Sequence, residues 1–427
     1  SVHCKRCRTR FFFFLYNPSG VGEGQIPHPP WQERLSAETH KLDFMTILSH
    51  TENLRTPFYH YDSALLSRTL EAISSAIADS PSFHVHYAVK ACATPSVLSR
   101  ISAAGFGADC VSGGEIVRAV EQGFRPSDIV FAGVGKSDWE IRTALECGIA
   151  AFNVESVEEL DVINAIALEM GKVAPVALRI NPNVDAHTHE KITTGLNENK
   201  FGIAAEAMLS VIRRTQSLEG VRFVGLHFHI GSQITTFGPF EALCHRINAL
   251  TDTLRREGIS VRTLNVGGGL GIDYDYPEAH PIPDFESYFS TFKRLLHLEP
   301  GQELHFELGR AVVAQCGSLV SRVLYVKKGV DKQFVIVDAG MTDLVRPAMY
   351  GSFHKPENLT AAVRGESSEE TYDIVGPICE SSDVFVKGYR MPRAQRGDII
   401  VFRSAGAYGE IMASQYNCRP LPGSVMD

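Results

Sequence analysis

The sequence has 427 residues, of which 44% are hydrophobic and 21% are charged, an ordinary balance for a globular protein with a large core. The formal net charge of −8 is spread without long runs of like charge, which argues against nucleic acid as a partner. Nine cysteines scattered along a long chain favour a reducing compartment over a disulfide framework. No stretch approaches the roughly 18 consecutive apolar residues of a membrane span, and we expect a cytoplasmic protein.

Residues 1–44 differ in character from the rest of the chain. Their apolar run, 11–16, is shorter than the roughly seven residues that a signal peptide needs. The Gly-, Pro- and Ser-rich stretch that follows is typical of disorder, so we expect 1–44 to be a disordered or non-native extension. Cys4 and Cys7 form a single CxxC pair, and because a structural zinc ion normally takes four ligands, we expect no metal there.

From His84 onward, a short apolar run, a polar or glycine-rich stop and an amphipathic stretch recur. Segments such as SVLSRISAA carry apolar residues three or four apart, as one face of a helix does. Eight strand and helix pairs over residues 63–324 predict a (β/α)8 barrel in both count and length. A doubly wound sheet is the main alternative. The eight strand-like runs are HVHYAV, GFGADCV, DIVFAG, AAFNV, PVALRI, FVGLHFH, TLNV and ELHFEL.

After about residue 325 the helical patterns stop and strand-like runs follow one another. These runs, RVLYVKK, QFVIVDAG, TYDIVGPI, DVFVKGY and DIIVFR, predict a C-terminal antiparallel β domain over 325–427. TPFYHYD, which precedes the barrel, also has an extended pattern. We therefore expect 45–62 to form an N-terminal strand segment that joins the β domain.

Polar residues and glycines collect at the ends of the predicted barrel strands, where barrel enzymes carry out their chemistry. A lysine at a strand end is ordinarily a solvated cap. Inside a barrel mouth it would be partly desolvated, which would lower its pKa and free the amine for Schiff-base chemistry. The candidates are Lys90, Asp109, His229, Ser232, the glycines 267–269, Glu307 and Arg310.

The glycine run NVGGGLGIDY fails the GxGxxG dinucleotide pattern, because the sixth position is Ile272. Three successive glycines still allow backbone N–H groups to approach a phosphate, although a plain turn is an alternative. His227 and His229 are two apart on one strand, a spacing that would also suit a metal. With no carboxylate motif nearby, we favour His229 stacking on an aromatic cofactor and Ser232 donating to phosphate.

Glu307 is opposite in phase to Phe306 and Leu308, so it points into the barrel if those two pack outward. A protonated ring nitrogen would satisfy a buried carboxylate there. Arg310 suits a phosphate or a substrate carboxylate, with an internal Glu–Arg pair as the alternative. An amine, a phosphate cradle, a ring-stacking group and a carboxylate together are what pyridoxal 5'-phosphate requires.

The sequence resembles the diaminopimelate decarboxylase family, within the alanine-racemase-like group of pyridoxal-phosphate enzymes. The likeness runs from about residue 50 to the C-terminus. It is carried by YAVKA (87–91), GADCVSGGE (107–115), VDAHTHEKITTGLNENKFGI (184–203), HFHIGSQ (227–233), GGG (267–269), ELGR (307–310), GPICESSD (376–383) and GAYGEIMASQYNCRP (406–420).

This resemblance implies decarboxylation of meso-2,6-diaminopimelate to L-lysine, the last step of lysine biosynthesis, by a homodimer with shared active sites. Lys90 would hold the cofactor aldehyde as a Schiff base, with His229 on the ring and Glu307 at its nitrogen. Cys379 would protonate the product carbanion from the second subunit. The resemblance also places Asp109, Ser232, Gly268, Gly269, Gly309, Arg310 and Tyr408 around the cofactor, and Arg310, Arg346, Tyr350, Glu380 and Tyr408 around the substrate.

Two positions depart from the family pattern. Cys92 stands where the family usually has Asn, and would be open to side reactions if it were exposed. Leu308 replaces the usual Pro of EPGR, and we expect it to change loop behaviour without loss of chemistry. The alternatives are a related decarboxylase acting on ornithine, arginine or carboxynorspermidine, and a catalytically silent binding protein of the same fold.

Overall fold

The computed structural model describes residues 44–184 and 200–427. The described chain begins with helix α1 (44–53) and strand β1 (Phe58–Tyr61). The expectations for 1–44 therefore fall outside the described residues, apart from Phe44, and most of the stretch 184–203 does too. No helix in the described ranges has the length and apolar character needed to cross a membrane.

Eight parallel strands close a barrel, as the eight apolar runs predict. Each pairs with the next around the ring, and the last, β10, pairs with the first, β2. Closure excludes the doubly wound alternative. The barrel strands are β2 (Phe83–Ala88), β3 (Gly107–Cys110), β4 (Ile129–Phe131), β5 (Ala151–Val154), β6 (Ala174–Asn181) and, after the two-residue strand β7 (Ile203–Ala204), β8 (Val221–His227), β9 (Thr263–Asn265) and β10 (Glu303–Leu308).

Amphipathic helices surround the barrel. Several begin at a side chain that accepts a backbone N–H bond, as Asp62, Ser112, Ser156 and Asp284 do, which satisfies one of the unpaired donors of the first turn. The helices are α2 (Ser63–Ala76), α3 (Pro95–Ala103), α4 (Gly113–Glu121), α5 (Asp138–Cys147), α6 (Val157–Glu169), α7 (Met208–Ser217), α8 (Gly238–Arg256), α9 (Phe285–Leu295) and the short α10 (Arg310–Val313).

The alternation along β10 determines which side chains reach the barrel interior. Phe306 packs outward, with its ring centroid 4.9 Å from that of Phe289 and 5.1 Å from that of Phe292, both on α9. Leu308 is buried in the same core. Glu307, between them, therefore points inward, as its phase predicts.

The second domain is a sheet that is mostly, but not entirely, antiparallel. β12 pairs with β14 in parallel, and β1 is parallel to β17 while it runs antiparallel to β11. Its strands are β11 (Gly317–Lys328), β12 (Gln333–Val337), β13 (Pro356–Asn358), β14 (Glu369–Val375), β15 (Val384–Pro392), β16 (Ile399–Phe402) and β17 (Gly423–Met426), with helices α11 (Arg346–Tyr350) and α12 (Leu359–Arg364).

Four details of this domain differ from the sequence expectations. The sheet is mostly antiparallel, as predicted, but the two pairings above are parallel, and helices do occur after residue 325. The segment 45–62 joins the sheet through β1, as expected, but 44–53 is helical. Finally, β11 already pairs with β1 from Gly317 onward, so the sheet begins before residue 325.

Candidate functional site

A cavity of about 740 Å³ opens at the C-terminal ends of the barrel strands, where the β domain covers part of the barrel. Side chains from both domains line it. Eight of the residues singled out from the sequence are among them: Lys90, His229, Ser232, Glu307, Arg310, Arg346, Tyr350 and Tyr408.

Lys90 lies in the short 3-10 helix Val89–Ala91 that follows β2, and its side chain lines the cavity. Its Nζ donates to Oδ2 of Asp109 at 3.3 Å, while 40% of the lysine side chain remains accessible from the cavity. Asp109 lies on the neighbouring strand β3 and is fully buried, and its Oδ1 has no hydrogen-bond partner in the described part of the chain. Asp109 therefore stands behind the lysine rather than in the cavity.

The expectation of a lowered pKa for Lys90 was wrong. Burial alone would lower the pKa of Lys90, but the carboxylate of Asp109, followed by Tyr408 and Glu307, raises it above its usual value. For Asp109, burial and Glu307 outweigh Lys90 and raise the pKa to about 7. Lys90 therefore rests as an ammonium and must lose a proton before it can act as an amine.

Glu307 is an ionised carboxylate buried beneath the cavity. Oε1 accepts from Asn153 Nδ2 at 3.0 Å and from Asn265 Nδ2 at 2.7 Å, and Oε2 lies 3.0 Å from His227 Nε2. Burial alone would raise the pKa of Glu307, but His227, and then Lys90, bring it below its usual range. Oε2 keeps an acceptor position for a further donor.

His227 and His229 have different partners, which does not suit a shared metal. His227 is the last residue of β8 and bonds to Glu307, whereas Nδ1 of His229 accepts from the backbone N–H of Gly268 at 3.4 Å. Burial, together with Arg179 and Lys90, lowers the pKa of His229 well below its usual value. His229 is therefore a neutral ring at the wall of the cavity.

The glycine run lies where backbones approach each other closely. A Cβ on Gly268 would lie 1.8 Å from the carbonyl oxygen of Glu307, and Gly267 and Gly269 have φ values of 68° and 106°. The loop that carries Tyr408 is tied to the same region, because its backbone N–H donates to the carbonyl of Ala91 at 2.7 Å.

Two buried arginines also line the cavity. Arg310 donates to Tyr274 Oη at 2.6 Å and to Ser232 Oγ at 3.1 Å, while its Nε has no partner in the described part of the chain. Arg346 lies near His354 and Ser352. Neither guanidinium forms an ion pair with a carboxylate in the described ranges, and buried charges are normally paired. Their arrangement therefore suits an anionic ligand.

Cys379 and Glu380 lie outside the cavity of their own chain and are exposed. The backbone N–H of Cys379 donates to Asn417 Oδ1 at 3.0 Å, and Tyr416 Oη donates to Glu380 Oε1 at 2.8 Å. Gly309 packs between the Cβ atoms of Ala88 and Ala91. None of these three positions lines the cavity.

The family departures lie in the core. Cys92 is buried, its sulfur is 3.4 Å from Tyr61 Oη and 3.3 Å from Thr94 Oγ1, and burial raises its pKa. A thiol of that kind is a poor nucleophile, so the condition for side reactivity is not met. Leu308 is likewise buried and faces away from Glu307.

Comparison with known proteins identifies the family. The family model for "Pyridoxal-dependent decarboxylase, pyridoxal binding domain" matches residues 64–314. A diaminopimelate decarboxylase of Bacteroides thetaiotaomicron is 60% identical over 369 residues, which cover 86% of this chain and 95% of the relative. The chain belongs to the diaminopimelate decarboxylase family.

Solved structures agree with this assignment. The Helicobacter pylori member of the family, complexed with L-lysine, has a TM-score of 0.83 at 38% identity, and the match covers 89% of this chain and 94% of that one. A lysine/ornithine decarboxylase of Vibrio vulnificus, complexed with putrescine, is only 21% identical with a TM-score of 0.77, over 90% of this chain and 98% of that one. At 21% identity, the similarity to the Vibrio vulnificus enzyme shows a shared fold and nothing more.

The residues of the cavity fit pyridoxal phosphate. Glu307 has an acceptor position left for a protonated ring nitrogen, and Arg310 has a buried Nε without a partner in the described ranges, next to Ser232. Lys90 offers the only lysine amine among the cavity-lining residues that the structure describes. Lys90 would bind the aldehyde of the cofactor, Glu307 its pyridine nitrogen, and Arg310 its phosphate.

Sequence reasoning missed several residues that hold this arrangement together. Asn153 and Asn265 anchor Glu307, and Tyr274 accepts from Arg310. Arg179 stacks on Phe201 with 4.9 Å from its Cζ to the ring centroid, and also pairs with Glu155. A polar residue inside an otherwise apolar strand, as in AAFNV, TLNV and PVALRI, is the signal that could have found three of them.

Proposed function

We propose that this protein decarboxylates meso-diaminopimelate to L-lysine and carbon dioxide with pyridoxal phosphate as cofactor. One observation carries the choice of substrate: Arg310 and Arg346 lie buried, without a carboxylate partner in the described ranges, in the cavity that holds Lys90 and Glu307. The relatives support the reaction, since they are named diaminopimelate decarboxylases and one is complexed with L-lysine. Lysine is what remains of diaminopimelate once one carboxylate is lost.

When bound, pyridoxal phosphate supplies an aldehyde that condenses with an amine and a ring that stabilises a carbanion. Lys90 would hold the aldehyde, and Oδ2 of Asp109 would orient Nζ and take up its proton. Glu307, ionised and held by three side chains, would keep the ring nitrogen protonated. His229 would lie against the ring, while Ser232, Gly268, Gly269 and Tyr408 would bind the phosphate.

The far end of diaminopimelate carries both an amino group and a carboxylate. Arg346, with Tyr350 beside it, would bind that carboxylate, and Arg310 would contribute from the side of the phosphate. The Cζ of Arg346 lies 5.8 Å from the ring centroid of Tyr350 and 5.7 Å from that of Tyr274, so aromatic rings limit where the guanidinium can point. Glu380 of the partner subunit would receive the distal amino group.

We also propose that a homodimer completes each site. Cys379 is exposed in its own chain and does not line its own cavity, which is consistent with a role in the site of a second chain. In that arrangement Cys379 of the partner subunit would deliver a proton to Cα after carbon dioxide leaves. The unpaired cysteines of the described chain suit a reducing compartment, which supports a cytoplasmic location.

The alternative substrates differ from diaminopimelate at the distal end. Ornithine ends there in an amine, arginine in a guanidinium, and carboxynorspermidine in a longer chain. A distal cation would be repelled by Arg346. A catalytically silent binding protein would be expected to lose the lysine or the phosphate ligands, and this chain retains both. The distal carboxylate is therefore the feature to test.

The experiment replaces Arg346 by Met, which keeps the length of the side chain and removes the charge. For meso-diaminopimelate we expect kcat/KM to fall about 10- to 100-fold, because a charge-assisted hydrogen bond contributes roughly 1.5–3 kcal/mol. The variant should keep the cofactor absorbance of the wild type. Steady-state lysine production and the visible spectrum measure the two effects.

Arg396→Met is the matched control, since Arg396 is remote from the cavity and stacks on exposed Tyr325. It should leave kcat/KM unchanged. Ornithine and arginine are assayed in parallel with the wild type. Faster turnover of either than of diaminopimelate, or an Arg346→Met variant with full activity on diaminopimelate, would contradict the proposal.

A further inference from the structure

Three potential metal ligands lie together at the end of the barrel opposite the cavity. His84 belongs to β2, and Glu303 and His305 belong to β10, the two strands whose pairing closes the barrel. His305 lies directly across from His84 in that pairing. One ligand atom from each of the three side chains lies within 4.8 Å of the other two. The three residues form a cluster that the decarboxylation reaction does not use.

Hydrogen bonds inside the barrel decide which nitrogen of His305 lacks a proton. The carbonyl oxygen of Asp128 can only accept, so His86 Nδ1, at 3.0 Å, carries the proton. The other nitrogen of His86, Nε2, is then an acceptor. It lies 2.8 Å from His305 Nδ1, which must donate to it. A neutral His305 therefore presents a lone pair at Nε2.

That lone pair has no donor to accept from among the described residues. Nε2 of His305 is buried without a hydrogen-bond partner in the described part of the chain. It faces Oε2 of Glu303 at 3.6 Å, and two acceptor atoms repel each other unless a cation lies between them. A cation that bridges the two atoms would satisfy both lone pairs.

We propose that His84, Glu303 and His305 bind a divalent transition-metal cation of the Zn²⁺ type. With metal–ligand distances of about 2.0–2.1 Å, ligand atoms in a tetrahedral zinc site lie roughly 3.4 Å apart. The 3.6 Å between His305 and Glu303 is already close to that separation. His84 is exposed, so its ring can turn toward the ion and water can fill the fourth position.

Neighbouring groups already orient two of the three ligands. His86 accepts from the far nitrogen of His305, the kind of outer contact that fixes the ring of a metal-bound histidine. Arg262 donates to Oε1 of Glu303 at 3.2 Å and leaves Oε2 facing the cluster. A bound ion would link β2 to β10 and strengthen the closure of the barrel, with no effect on the reaction at the other end.

The test uses holoenzyme freed of metal with a chelator, dialysed against Zn²⁺ and analysed for bound zinc by mass spectrometry. Because exposed thiols such as those of Cys379 and Cys418 are themselves potential zinc ligands, the readout is the difference between wild type and His84→Ala. We expect His84→Ala to bind one zinc ion fewer per chain. We also expect Zn²⁺ to raise the thermal midpoint of the wild type and not that of the variant.

His280→Ala is the matched control, since His280 is exposed and pairs with Asp273 elsewhere on the surface. It should keep the full zinc content and the thermal shift. Equal zinc content and equal thermal shifts in wild type and His84→Ala would overturn the proposal. A zinc ion lost instead with His50→Ala would overturn it too, because His50 belongs to a second three-ligand group with His60 and Asp427.

Discussion

The charge state of Lys90 depends on a carboxylate that is distant in the sequence and close in the fold. The position of Lys90 at a strand end, among other polar strand ends, predicted that it lies in the cavity. Its charge state depends on Asp109, which is 19 residues away in sequence and comes within 3.3 Å only because β2 and β3 are neighbours. The raised pKa therefore could not be read from the sequence around the lysine.

The residues next to Glu307 in the sequence predicted where its side chain points, but not which side chains contact it. The alternation of ELHFEL gave its orientation. The three side chains that hold it, Asn153, His227 and Asn265, come from three different strands. Each is a polar residue in a mostly apolar run, and nothing in one such run says which carboxylate it will meet.

Replacing Cys379 tests its proposed role as proton donor. Cys379→Ala removes the proposed proton donor and keeps the cofactor site, so kcat should fall about 100- to 10,000-fold, the usual contribution of general acid catalysis. The cofactor absorbance should stay unchanged. Stopped-flow spectra and lysine release measure both quantities.

Cys418→Ala serves as the control for that change, because Cys418 is also an exposed thiol near the end of the chain. It should turn over at the wild-type rate. Wild-type turnover by Cys379→Ala would remove Cys379 as the proton donor.

Helices and strands that belong to a long repeated pattern were predicted correctly, whereas short helices were missed. All eight barrel strands and the five strands predicted for the β domain occur where the apolar runs place them. Helices α11 and α12 have five and six residues, too short for a 3.6-residue period to emerge. The parallel pairing of β12 with β14 was missed as well, since an apolar run does not encode the direction of its neighbour.

The loop after β9 offers a prediction at this scale. Gly268→Ala would place a Cβ 1.8 Å from the carbonyl oxygen of Glu307, so the loop must move and the backbone N–H groups next to the proposed phosphate position move with it. We expect cofactor affinity to fall about 5- to 150-fold, since a shifted backbone donor loses roughly 1–3 kcal/mol. Equilibrium dialysis of pyridoxal phosphate checks this.

Gly238→Ala is the paired control, because Gly238 opens α8 and a Cβ added to it would meet no atom within 4 Å. Its cofactor affinity should match the wild type. Unchanged affinity in Gly268→Ala would show that the glycine run is only a turn.

At the scale of the whole molecule, the barrel and the β domain share one cavity. Arg346, Tyr350 and Tyr408 come from the β domain, whereas Lys90, Glu307 and Arg310 come from the barrel or its end. Strand β1 ties the chain ahead of the barrel into the sheet through β11 and β17. The family motifs in the sequence predicted site residues from both domains, because these motifs occur in the barrel and in the β domain.

A mixing experiment tests whether two chains share each site. Lys90→Ala and Cys379→Ala are each expected to be nearly inactive alone, but a mixed dimer has one site with both native residues. Random exchange between the two variants should restore about a quarter of wild-type activity, because half of the dimers are mixed and one of their two sites is intact. Activity that stays at the level of the separate variants would mean that each chain uses its own Cys379.

In the proposed function, Lys90 carries pyridoxal phosphate in a cavity that binds diaminopimelate. The most direct measurement is the visible spectrum of purified wild type and Lys90→Ala, before and after borohydride, followed by an assay for lysine and carbon dioxide with meso-diaminopimelate. We predict a borohydride-sensitive band in the wild type, no such band in the variant, and lysine from the wild type alone. A wild-type protein that shows no band when supplied with cofactor, or that forms no lysine, would contradict the account.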